Sequence, residues 1–91
     1  MSTQHSGVTS DSLKIAINER LEAEHVEVVD LSSGCGQMYE VVIVSGLFRD
    51  KRTLLRHKLV NEKLKEEISK LHAFSQKSYT PEEWEKKKQE Q

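Results

Sequence analysis

Apolar residues recur along this chain with two different periods. From Thr53 to His72, the stretch TLLRHKLVNEKLKEEISKLH places Leu55, Leu59, Val60, Leu64, Ile68 and Leu71 at steps of four, one, four, four and three. That spacing marks one face of a helix, not the alternation of a strand. At ~1.5 Å of rise per residue such a helix is roughly 28 Å long. Upstream, Leu13, Ile17 and Leu21 repeat every four residues and, with Ile15 and Ala16, supply the apolar face of a shorter helix. Ser10 or Asp11 is placed to cap it by accepting a backbone N–H, and Glu22 to Glu24 end it. The second period is two. HVEVVD, from His25 to Asp30, starts as an alternation, and MYEVVIV, from Met38 to Val44, is β-branched and nearly all apolar. These read as a hairpin with the second strand central, joined through LSSGCGQ, a loop by composition.

AFSQKSY, from Ala73 to Tyr79, reads as a third strand. TPEEW then announces a last helix, with Thr80 as N-cap, Pro81 at the first helical position and Glu83 closing a capping box. Trp84 is its one large apolar anchor, and Glu82–Lys86 and Glu83–Lys87 are spaced for i,i+4 pairs worth ~0.2–0.5 kcal/mol each. The predicted order is α-β-β-α-β-α. This is an α+β fold, a three-stranded sheet with helices packed on it. Residues 10–88 are expected to form the single domain, after a polar tail over 1–9 and before a frayed end at 89–91.

Composition narrows the function classes. Ninety-one residues allow one modest core, so a ligand is expected at the surface and not in a large internal cavity. A net charge of −1 gives no global attraction to nucleic acid or anionic lipid. The single cysteine cannot form an internal disulfide, which suits a reducing compartment. No apolar run approaches the ~20 residues that span a bilayer. The opening MSTQHSGVTS has neither the apolar core of a secretory signal nor an arginine of a mitochondrial one. Cytosol and nucleus are therefore the expected compartments, with no membrane contact.

Two side chains carry candidate chemistry. Cys35 stands between Gly34 and Gly36, which remove the side chains that would shield its sulfur. It suits a metal ligand, a redox switch or a partner contact, or it is a small apolar residue in a turn. His72 follows the long helix, where an imidazole can bond the last carbonyls or serve as a ligand. His57 lies beside the apolar stripe, His5 in the tail, and His25 at the start of a strand with no evident partner in sequence. There is no CxxC, HxxxH or HExxH, so a closed four-ligand zinc site is not offered. One thiolate and one imidazole make half a coordination sphere, useful when a partner supplies the rest. A thiol redox enzyme would need a resolving cysteine that is not there. Arg49, Lys51, Arg52 and Arg56 form a basic cluster suited to phosphates or to a partner surface.

GCGQMYEVVIVS, then KRTLLRHKLVNEKLKEEI and LHAF, resembles the BolA family over nearly everything after the tail. HAFSQKSYTPEEW resembles its cytosolic and nuclear branch, whose members partner multidomain monothiol (CGFS) glutaredoxins. The resemblance implies a BolA-like fold similar to a type II KH domain. It also implies a binding protein, not an enzyme, that forms a heterocomplex around a bridging 2Fe-2S cluster and serves cluster transfer or iron-status signalling in iron homeostasis. On that resemblance His72 and Cys35 are the ligands from this chain, and His57 is a second-shell or alternative ligand. The glutaredoxin brings its cysteine and a bound glutathione. An iron-responsive transcription factor or a cluster recipient is the implied further partner. The competing expectation, from the KH-like topology, is a nucleic-acid-binding transcriptional regulator that uses Arg49, Lys51, Arg52 and Arg56.

Overall fold

A computed structural model describes residues 7–32 and 36–90. Helix α1 (Ser10–Leu21) is followed by strands β1 (His25–Asp30) and β2 (Met38–Val44) and a single 3₁₀ turn, Gly46–Phe48. Helices α2 (Thr53–Lys63) and α3 (Lys65–Ser69), strand β3 (Ala73–Tyr79) and helix α4 (Pro81–Gln89) complete the chain. The sheet order is β1-β2-β3. β1 and β2 are antiparallel, with His25 opposite Val44 and Asp30 opposite Tyr39. β2 and β3 are parallel, with Met38 opposite Ala73 and Val44 opposite Tyr79. A parallel pair requires a crossover connection, and α2 with α3 provides it. The expected α+β order and the central position of β2 are what the structure has.

Alternation along β2 sends Tyr39, Val41 and Ile43 into the core, where Leu13, Ala16, Ile17 and Leu21 of α1 meet Val60 and Leu64 of the crossover. Phe48 of the 3₁₀ turn is also fully buried. The core thus lies on one face of the sheet. Buried Ser45 ties three elements together. Its hydroxyl donates to the Leu21 carbonyl at 2.6 Å and accepts from the Leu47 N–H, and its backbone N–H donates to Tyr79.

Several details differ from the sequence reading. The tail does not run to Thr9. Val8 is 3% exposed within the core, and its carbonyl accepts from the Tyr39 hydroxyl and the Gln37 amide. Thr9, rather than Ser10 or Asp11, caps α1, in a reciprocal box with Ser12. Ile15 is 56% exposed, because the face of α1 that packs is the one defined by Leu13, Ala16, Ile17 and Leu21. Leu55 is also exposed, so the buried stripe of α2 begins only at Leu59.

The expected single helix is interrupted at Leu64, where φ is −112° and ψ 22°. Leu64 is fully buried, and its N–H and C=O still bond Val60 and Ile68. An unbroken helix would pair the Lys63 carbonyl with the Glu67 N–H. Here Arg20 of α1 donates to the Lys63 carbonyl at 3.0 Å and to the Glu67 carboxylate at 2.8 Å. The break is therefore satisfied from a neighbouring helix, and the hydrogen bond from Arg20 holds the Glu67 carboxyl below its usual range.

Candidate cofactor-binding site

The end of the crossover and the return of the hairpin loop meet at one point. α3 stops with the N–H groups of Lys70 and Leu71 bonding Glu67 and Ile68. The next two N–H groups, of His72 and Ala73, both donate to the Gln37 carbonyl, at 2.8 and 3.2 Å. The Gln37 side chain in turn holds the Val8 carbonyl at 2.9 Å and the Tyr39 hydroxyl at 3.2 Å. Burial is the main reason that the Tyr39 phenol is pushed up, so it acts as a neutral donor to Val8. His72 is thereby fixed by its backbone at the mouth of the hairpin loop.

The loop side of the site is prepared by Ser32 and Gly36. The Asp30 carboxylate accepts from the Ser32 N–H at 2.8 Å, and bonding to Ser32 lowers its pKa. The Ser32 hydroxyl accepts from the Met38 N–H at 3.0 Å, across the base of the loop. Gly36 has φ +139°, in the region that L side chains rarely adopt. It also lies directly against His72: a Cβ on Gly36 would stand 2.8 Å from the His72 Cβ and 3.3 Å from Cγ. The glycine is required here both by its backbone angle and by the imidazole.

The His72 side chain is exposed, and among the described residues its imidazole has no hydrogen-bond partner. It does not bond the last carbonyls of the helix, the bland role that its position in sequence allowed. A solvent-facing imidazole with both nitrogens unengaged, fixed by its backbone, suits coordination of a metal presented from outside. Cys35, the other expected ligand, lies outside the described residues; its neighbour in the chain is Gly36. Among the described residues no three metal-ligating side chains gather. His57 lies in α2. It is half-buried one turn into α2, beside Arg56, which reaches the Ser78 carbonyl.

The basic cluster is divided by the fold. Arg49 is bidentate to Glu82, at 3.1 and 2.6 Å. Arg56 is bidentate to Glu83, at 2.6 and 3.0 Å, and also bonds the Lys51 and Ser78 carbonyls. These two arginines fasten α4 to the end of the 3₁₀ turn and to α2; they are not free for phosphates. Glu82 and Glu83 therefore do not pair with Lys86 and Lys87 along the helix. Lys51 and Arg52 carry no such pairs among the described residues. The capping box of Thr80 and Glu83 is present as read, and Trp84 lies against His25 and Tyr79, with ring centroids at 5.1 and 5.4 Å. His25 has a partner after all in Glu27, two residues on along the same face of β1, at 2.8 Å.

Sequence reasoning missed the contact of Gly36 with His72 and the Gln37 tether. The one local signal was the glycine at the loop exit. Nothing in the sequence marks the long-range arginine–glutamate pairs.

Residues 2–83 match the family of BolA-like proteins. The chain is 44% identical over 84 residues to BolA-like protein 2 of Mus musculus, covering 91% of this chain and 98% of that one. To BolA-like protein 2 of Saccharomyces cerevisiae it is 45% identical over 80 residues, covering 87% and 67%. Among solved structures, a bol-like protein from Babesia bovis superposes with a TM-score of 0.85 at 35% identity, over 90% of this chain and 95% of that one. The solution structure of yeast Fra2 superposes at 0.70 with 45% identity, over 85% and 84%. With the sheet order, the crossover and the sequence all in agreement, the chain belongs to the BolA family.

Proposed function

We propose that this protein is a non-enzymatic adaptor that shares a 2Fe-2S cluster with a monothiol glutaredoxin, for cluster transfer or for iron-status signalling in cytosol and nucleus. His72 and Cys35 are this chain's ligands, and the partner's cysteine and glutathione complete the sphere. An iron-responsive transcription factor or a cluster-recipient protein lies downstream. The observation that carries the reading is His72: an exposed imidazole without a partner among the described residues, fixed by its backbone to Gln37 and seated on Gly36 at the exit of the loop that contains Cys35. A cluster held by imidazole in place of thiolate has a raised potential. This chain's residues present the ring and leave its nitrogens to the incoming cofactor. His57, half-buried in α2, is held as a second-shell or alternative ligand.

The test is the visible and circular dichroism spectrum of the complex co-purified with a monothiol glutaredoxin, for wild type and for separate Cys35, His57 and His72 substitutions. His72→Ala is expected to change the spectrum and shorten the lifetime of the cluster, and His57→Ala to have a smaller effect on both. An unchanged spectrum in His72→Ala would remove His72 as a ligand. The nucleic-acid reading loses ground in the same structure, because two of its four proposed phosphate contacts, Arg49 and Arg56, are engaged with carboxylates.

A further inference from the structure

The first two turns of α2 are unlike the rest of the crossover. Leu54 is 71% exposed and Leu55 49%, the only two large apolar side chains among the described residues of the crossover that are left open in this way. Helical spacing puts Leu54, Leu55 and Lys58 on one face, with Lys51 and Arg52 entering from the preceding turn. None of these three cations has an ion-pair partner among the described residues. Arg49 and Arg56, which flank them, are already neutralised by Glu82 and Glu83. Asp50 offsets one charge at the near edge, and Glu62 marks the far edge, one turn past Lys58. The patch keeps a net positive charge around two leucines.

Nothing within the fold rewards this arrangement. A helix favours acids in its first turn and cations in its last. The first turn of α2 has no acid, and its N-cap, Arg52, makes no side-chain cap. The positive end of the helix dipole therefore adds to Lys51 and Arg52 where an acid would stabilise the chain. The leucines are likewise outside the buried stripe, which starts at Leu59.

The geometry points to this face as a docking surface for an acidic, amphipathic segment of a partner protein, with carboxylates set around leucine-like side chains. The cations select the charge of the occupant. Two exposed leucines at the centre select protein over nucleic acid, whose backbone offers them nothing to bury against. The surface is set at the other end of the crossover from His72. The protein can thus hold such a partner without covering the candidate cluster site, and the inference goes beyond the proposed function without resting on it.

The test is a titration of the isotopically labelled full chain, without glutaredoxin or iron, followed by amide NMR. The probe is a synthetic helical peptide with glutamates on one face and leucines on the other. Shifts are expected to concentrate between Lys51 and Lys58, and affinity is expected to fall steeply as salt rises. A Leu54→Ser/Leu55→Ser variant is expected to bind about tenfold more weakly, equal to about 1.4 kcal/mol. Both side chains are exposed, so its unperturbed spectrum serves as the control for folding. His72→Ala is expected to bind the peptide as wild type does, which separates this surface from the cluster site. Absence of shifts at Lys51 to Lys58 would overturn the proposal. So would equal binding by a peptide with serines in place of its leucines, or displacement of the peptide by a short DNA duplex that binds the same amides more tightly.

Discussion

Gly36 and His72 are in direct contact, and the contact leaves no room for a side chain: a Cβ on Gly36 would stand 2.8 Å from the His72 Cβ. The neighbour is the rigid start of an imidazole side chain, not the free end of a flexible one. The φ of +139° at Gly36 adds a backbone cost to the steric one. Gly36→Ala is therefore expected to destabilise the protein by about 1–3 kcal/mol. It should also shift the ring resonances of His72 while leaving those of His25 unchanged. Denaturant unfolding with histidine NMR checks both. A wild-type His72 signal in a destabilised Gly36→Ala would show that the loop, not the ring, had yielded.

The fold was legible where one periodicity dominated. Met38 to Val44 reads as a central strand because it is β-branched and nearly all apolar, and Thr80, Pro81 and Glu83 mark a helix start by their own chemistry. Failures came where a distant group decided. Leu64 sits in an unbroken helical pattern, yet the helix breaks there, with Arg20, far away in sequence, taking the carbonyl that is released. Val8 is a lone apolar residue in a polar stretch, and only the buried Tyr39 and Gln37 make it core. At the candidate site, the residue type and position of His72 were readable. Its availability was not, because that depends on the Gln37 carbonyl taking the backbone N–H and on no described side chain taking the ring. The basic cluster looked uniform in sequence, and α4 then claimed half of it.

The burial of Val8 makes the start of the domain a stability element. Removing two methyl-sized groups from a closed core site is expected to cost about 1–3 kcal/mol in Val8→Ala. Thr9→Ala loses the α1 cap and is expected to cost about 0.5–2 kcal/mol. The two act through different contacts, core packing and helix capping. A chain that begins at Ser10 should lose both contributions and leave the Tyr39 hydroxyl without its acceptor. Thermal unfolding of the three variants checks the order. A Ser10 start as stable as the full chain would return residues 7–9 to the status of a tail.

The two arginines that hold α4 differ in what surrounds them. The Arg56 side chain is only 12% exposed and serves Glu83, Lys51 and Ser78 together. Truncating it strands a carboxylate and two carbonyls, so Arg56→Ala is expected to cost about 1.5–3 kcal/mol. Arg49 pairs with Glu82 in the open, where water and salt compete for both groups, and Arg49→Ala is expected to have a much smaller effect. Trp84 is the natural reporter, because its stack on His25 depends on α4 staying docked. Its emission should shift red in Arg56→Ala under mild denaturant and stay unchanged in Arg49→Ala.

Acid should release the same helix. Arg56 first, and then the backbone bond of the capping box, hold the Glu83 carboxyl down at about 2 from an ordinary 4.5. A carboxyl depressed in the folded state stabilises that state fully above its unfolded pKa, and the contribution is lost as pH falls through the interval toward the folded value. The window is therefore pH 4.5 down to about 2. Glu83 is about half exposed, so screening by solvent reduces its share to on the order of 1 kcal/mol. The Glu67 and Glu82 carboxyls, lowered by their bonds to Arg20 and Arg49, titrate in the same direction. Unfolding free energy measured from pH 7 to pH 2 should be flat to about pH 5 and decline below it, with Trp84 emission changing alongside. Glu83→Gln should be less stable than wild type at pH 7 and should lose less on acidification, because the amide carries no charge to forfeit. Parallel acid profiles for wild type and Glu83→Gln would mean that the Arg56–Glu83 pair contributes nothing net, and that α4 is held by Trp84 and the Arg49–Glu82 pair.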